Sequence, residues 1–98
     1  MSLIVDELSD QQRVVITPPA CFDFSINSDL VAACSEYAVG QWRFTVDLSR
    51  VEYLDSTAVG MLLRLAEQAE EPVRLIKIPP VVRALLDRAE TGSRVEMA

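Results

Sequence analysis

Asp55, Ser56 and Thr57 stand directly ahead of the most regular apolar period in the chain. An aspartate followed by two hydroxyls can cap a helix, because its carboxylate accepts from the first free N–H groups. The same hydroxyls can be phosphorylated, adding about −1.5 to −2 charge to a first turn whose N–H groups and dipole tolerate an anion. Asp55 would repel that phosphate, so modification would change the surface rather than improve the cap. Nucleophilic catalysis by Ser56 or Thr57 would need a neighbouring base. The chain has no histidine, which removes Ser-His-Asp, Cys-His and His-ligated zinc chemistry. An enzymatic reading would have to use Asp47, Asp55 and Ser56 as a cluster near strand ends, where α/β sheets place ligands. Asp47 fits a strand-to-loop anchor better, and no residue is assigned a catalytic role.

The elements that must position these groups follow from periodicity. Leu3-Ile4-Val5 and Arg13 to Thr17 are β-branched runs separated by the polar stretch Glu7 to Gln12, predicting two strands joined by a turn. Ile26, Leu30, Ala33, Cys34 and Tyr37 recur at helical spacing, with Asn27 or Ser28 as cap and Gly40 as terminator. Phe44, Val46 and Leu48 alternate with Thr45 and Asp47, predicting a strand over about Arg43 to Leu48 in the middle of the sheet. The next helix is capped by Asp55, carries Ala58, Met61, Leu62, Leu65, Ala66 and Ala69 on one arc, and stops before Pro72. Thr57, Gly60, Arg64, Glu67, Gln68 and Glu71 fall on the opposite arc, with Val59 and Leu63 on its border, so Thr57 points to solvent beside a partly apolar patch. Val73 to Ile78 predicts a strand, and Pro79-Pro80 opens a helix with Val82, Leu85, Leu86 and Ala89. Gly92 closes it ahead of a strand from Arg94 to Met97. Strand–helix alternation implies parallel neighbours and right-handed crossovers. Three helices suffice to cover one side of a sheet of four or five strands.

Composition narrows the function. The 98 residues make one domain, with 50% hydrophobic and 24% charged residues. Fifteen acidic against nine basic residues leave a net charge of −6, which argues against a nucleic-acid partner because phosphate-backbone binding needs clustered Lys and Arg. Cys21 and Cys34 lack Cys-x-x-Cys or metal-ligand spacing and are expected to be buried free thiols, and no metal is implied. Gly40, Gly60 and Gly92 stand far apart, so no Gly-rich phosphate loop and no nucleotide cofactor are expected. Neither a membrane span nor a secretory signal is legible, predicting a cytoplasmic protein.

The segment Val46-Asp47-Leu48-Ser49-Arg50-Val51-Glu52-Tyr53-Leu54-Asp55-Ser56-Thr57-Ala58-Val59-Gly60-Met61-Leu62-Leu63 resembles the core of STAS domains, the anti-sigma factor antagonist family. The family pattern is a strand ending in Asp-Leu-Ser, a hydrophobic link, Asp-Ser, then Ser or Thr, a small residue, an aliphatic residue, Gly and further aliphatics. Phe22-Asp23-Phe24-Ser25, Arg74-Leu75 and Pro80-Val81-Val82-Arg83-Ala84-Leu85-Leu86 extend the resemblance across residues 1–98, one STAS domain. It implies a STAS (SpoIIAA-like) α/β fold, a four- to five-stranded mostly parallel sheet with helices chiefly on one face. It further implies a non-catalytic anti-sigma factor antagonist. Unphosphorylated, such a module holds an anti-sigma factor kinase of the ATPase-like class. Phosphorylation at Thr57, with Ser56 a secondary candidate, releases the kinase, and a PP2C-type phosphatase resets the switch. The partner surface would comprise Asp55, Ser56, Thr57, Val59, Gly60, Leu63 and Arg64. Thr in place of the usual Ser, and Ala58 in place of a frequent Gly, bear on which kinase accepts the site. The family also implies two alternatives: a subunit of a lipid-transport ABC complex, with Thr57 as a constitutive interface residue, and a stress-signalling scaffold.

Overall fold

Side chains that alternate between core and solvent set the faces of the main sheet. The computed structural model describes residues 3–37, 40–69, 71–89 and 95–97. In chain order the elements are β1 (Ile4–Leu8), β2 (Arg13–Thr17), β3 (Cys21–Phe22), α1 (Asn27–Cys34), β4 (Arg43–Asp47), β5 (Tyr53–Leu54), α2 (Ser56–Gln68), β6 (Val73–Ile76), α3 (Pro80–Ala89) and β7 (Val95–Met97). β1 and β2 form an antiparallel hairpin around a 3-10 turn at Ser9–Gln11, and Gln12 closes that turn at φ 50°. The other neighbours in the five-stranded order β1-β2-β4-β6-β7 are parallel, with β4 central as its sequence predicts.

Register brings the apolar positions into rows. Val14 pairs with Phe44, and Val46 sits between Ile16 and Leu75, all of them buried. Against this face α2 lays Ala58, Met61, Leu62, Leu65 and Ala66, α3 lays Val82 and Leu86, and α1 lays Leu30 and Cys34. The helices therefore cover one face of the sheet. The other face carries Arg13, Val15, Thr45 and Arg74, and only Thr45 among them is buried, beneath a 2.6 Å hydrogen bond from Arg13 Nη1.

Several expectations change. The first helix ends at Cys34 instead of reaching Gly40, and neither Asn27 nor Ser28 is its cap. Asp23 caps a 3-10 turn at Phe24–Ile26 that feeds α1. Gly40, at φ 78°, instead donates its N–H to the Gln68 carbonyl at 2.9 Å, joining the segment after α1 to the end of α2. Gln68 reinforces this junction, its Nε2 donating to the carbonyls of Cys34 and Tyr37 at 2.8 and 2.9 Å. Cys21 is exposed, a correction to its expected burial: on β3 it is Phe22 that turns inward. Burial pushes the Cys34 thiol up to about 11, so it stays protonated. Gly92 and Arg94 lie outside the described residues.

Candidate functional site

The segment before α2 is held by a small parallel sheet that the sequence reading missed, β3 on β5, pairing Cys21 with Tyr53 and Phe22 with Leu54. Two-residue strands are too short to show a period-2 pattern. Phe22 and Leu54 point into the core, so the chain leaves both strands at fixed positions. Each is followed by the same local device. Asp23 accepts from the Ser25 N–H at 2.9 Å and from its hydroxyl, and Asp55 does the same with Thr57. The shared Asp-x-Ser/Thr spacing, residues 23–25 and 55–57, is the signal that could have revealed the first of these caps.

Asp55 caps α2 as its sequence predicts. Oδ1 accepts from the Thr57 N–H at 3.0 Å, the Ala58 N–H at 3.2 Å and the Thr57 hydroxyl at 2.5 Å. The hydroxyl bond holds the carboxyl below its ordinary range most strongly; partial desolvation works against this, and the backbone N–H bonds add to it. The Thr57 side chain is exposed, yet its hydroxyl hydrogen is committed to the cap. Ser56 is exposed and lines an open groove of about 340 Å³, together with Tyr53, Val59, Leu85 and Arg88. Ser56 and Thr57 thus sit in different surroundings although they are neighbours in sequence.

Farther along α2, Gly60, Leu63 and Arg64 are exposed on one side, with Leu63 at 36%. Arg64 also borders a shallow apolar groove between α1 and α2, lined by Leu30, Val31, Met61 and Leu65. Val59 departs from its expected place: at 9% exposure it belongs to the core, because α3 and the Tyr53–Leu54 strand cover that flank of the helix. A wheel drawn on one helix does not show what packs beside it.

Asp47, the other carboxylate considered, anchors the turn after β4. It accepts from the Ser49 N–H at 2.9 Å and lies 3.8 Å from Lys77 Nζ. Desolvation of its carboxyl is outweighed by the Ser49 bonds and the Lys77 charge, so it stays below the ordinary range. Among the described residues no hydrogen bond joins Asp47 to Asp55 or Ser56.

Sequence and structure comparisons agree with this architecture. The profile of a family described as "Mlab, STAS domain" matches residues 8–93. A relative from Pseudomonas aeruginosa (strain UCBPP-PA14), named a STAS-domain containing protein, is 36% identical over 81 residues, covering 80% of each chain. The chain belongs to the STAS domain family. Among solved structures, a variant of RsbS from Moorella thermoacetica superposes with a TM-score of 0.73 at 21% identity, covering 100% of this chain and 86% of that one. The anti-sigma factor antagonist SpoIIAA in its unphosphorylated form gives 0.66 at 18% identity, covering 99% and 87%. At these identities the likeness is one of fold: a five-stranded mixed sheet with three helices. Among the described residues no helix is long and apolar enough to cross a membrane.

Proposed function

We propose that this domain is a partner-switching antagonist that acts in the cytoplasm without catalysis of its own. Its unmodified α2 surface holds an anti-sigma factor kinase of the ATPase-like class, and phosphorylation of Thr57 releases it, with a PP2C-type phosphatase restoring the unmodified state. The observation that carries the reading is the Asp55–Thr57 pair: an exposed hydroxyl at the first turn of α2, already bonded to a carboxylate. A phosphate there would remove the donated hydrogen and set a dianion against Asp55, while the free N–H groups of the turn still tolerate an anion. The fold survives and the surface gains negative charge. Gly60, Leu63 and Arg64 extend the contact, with Ser56 and Asp55 at its edge and Val59 supporting it from beneath.

Capture of partners from the native host on wild-type and Thr57→Glu protein, with mass spectrometry of the tryptic peptide spanning residues 51–64, tests this. A kinase held by the wild type and lost from Thr57→Glu, with phosphate on Thr57, is the expected result; Thr57→Ala should keep the kinase and resist switching. Equal retention on Thr57→Glu of unchanged thermal stability overturns the proposal.

A second reading has its own support, because the matching family profile is described by Mlab and not by an antagonist. In that reading the same helix face packs permanently against the ATPase subunit of a lipid-transport complex. An ABC ATPase held equally by wild type and Thr57→Glu, with the peptide unmodified, would select it. A stress-signalling scaffold would instead show as a large oligomer.

A further inference from the structure

The open face of the main sheet carries a charge arrangement that folding alone does not favour. Arg13 on β2 stands directly opposite Arg43 on β4, a like-charge cross-strand pair of the destabilising kind. Two residues along β4 on the same face lies Thr45, and Arg74 of β6 stands directly opposite it. Three arginines thus occupy positions next to one threonine on this face, one of them bonded to it, in a protein whose net charge is −6.

Thr45 is the one buried polar side chain among the described residues, at 5% exposure. Its hydroxyl accepts from Arg13 Nη1 at 2.6 Å, and among the described residues no bond takes up its own hydrogen. Buried polar groups are ordinarily satisfied, so a hydroxyl with hydrogen-bonding capacity left over among cations suggests an acceptor from outside the fold. Arg43 lies 3.7 Å from Glu71 and is partly neutralised. Neither Arg13 nor Arg74 makes an ion pair within 4.0 Å among the described residues, although acids outnumber bases in the chain. Asp6 and Glu96 end the same row on the edge strands, paired in register with Val15 and Arg74 respectively, and Asp47 lies one row away with Lys77. These carboxylates bound the positive region and confine it to the middle of the sheet.

We propose that this face binds a phosphate-type oxyanion, held by the Arg13 and Arg74 guanidinium groups and by the Thr45 hydroxyl donating from below. Planar forks presenting several N–H donors suit tetrahedral oxyanions, and charge-assisted bonds to them are about twice as strong as neutral ones. The site is on the sheet face opposite the helices and is independent of Thr57. Free phosphate groups and lipid headgroups share this chemistry. Ile4 and Leu8, 41% and 37% exposed on the same face, would lie beside the anion if it were borne on a lipid.

The test uses isotope-labelled protein titrated with sodium phosphate against sodium chloride at matched ionic strength. In parallel, the protein is sedimented with phosphatidylglycerol or phosphatidylcholine vesicles. Saturable amide shifts centred on Arg13, Thr45 and Arg74, or binding to phosphatidylglycerol alone, are expected. Either response should weaken at least tenfold in Arg74→Gln and Arg13→Gln, and stay unchanged in Arg64→Gln on the helical side. A phosphate response identifies a free anion as a sufficient ligand, and a vesicle response without one identifies the lipid-borne group. Absence of both responses in the folded wild type, or full retention in Arg74→Gln, overturns the proposal. Thermal midpoints in phosphate-free buffer control for folding, and Arg74→Gln, which leaves the Arg13–Thr45 bond intact, should leave them unchanged or raised.

Discussion

Asp55 shows how one side chain ties local structure to the proposed switch. Its Oδ1 accepts from the first N–H groups of α2 and fixes the hydroxyl of Thr57. Its carboxyl titrates below the ordinary value of 3.8, so the ionised group stabilises the fold above that pH and the contribution is lost as pH falls through the lowered folded value. The difference in thermal midpoint between wild type and Asp55→Asn should therefore be constant above about pH 5 and shrink on acidification. Melting curves from neutral pH down to the acid transition check it; a difference that widens below pH 3.8 would contradict the assigned direction. The residues of this cap were legible from type and spacing, since an Asp ahead of an apolar helical period has few other uses. The commitment of the Thr57 hydrogen to Asp55 was not, because hydroxyl rotamers follow from geometry.

At the scale of elements, α2 is both the best-formed helix and the proposed contact surface. Gly60 interrupts its propensity, yet a Cβ built there meets nothing within 4 Å. Gly60→Ala should stabilise the domain by about 0.5–1 kcal/mol, because Gly costs a helix backbone entropy that Ala does not. If a partner approaches closely at Gly60, the same variant should bind more weakly while melting higher. Calorimetric unfolding and partner titration on one sample separate the two effects. The other end of α2 depends on Gln68, whose amide holds the carbonyl of Cys34 at the end of α1 and that of Tyr37 beyond it. Gln68→Ala should cost about 1–3 kcal/mol by leaving those part-buried acceptors unsatisfied, measured as a lower urea midpoint at unchanged slope. The wheel placed Gln68 on the polar arc and assigned it no task. Its partners come from the end of α1 and the segment after it, and a single-helix period carries no information about them. The overlong prediction for α1 has a related cause: Tyr37 continues the apolar spacing, but its ring packs edge-on against Trp42 and Phe44 beyond the helix end.

At the scale of the whole molecule, stability rests on one apolar layer between the sheet and three helices. Phe44, 1% exposed on the central strand, lies at its middle. Phe44→Ala should cost about 3–5 kcal/mol, a large share of the ~5–15 kcal/mol available to an ordinary domain, and equilibrium denaturation measures it. The sequence by itself determined the strand and helix periods, the central place of β4, the capping role of Asp55 and the family, because each is written in residue type at short spacing. Only the tertiary structure decided that Val59 is covered, that Cys21 is exposed, that two short strands bring the caps at Asp23 and Asp55 together, and that Arg13 bonds Thr45 with Arg74 opposite it in register. Those outcomes depend on which strands become neighbours and in what register, and hydrogen bonding between segments thirty residues apart leaves no mark in the local pattern of either.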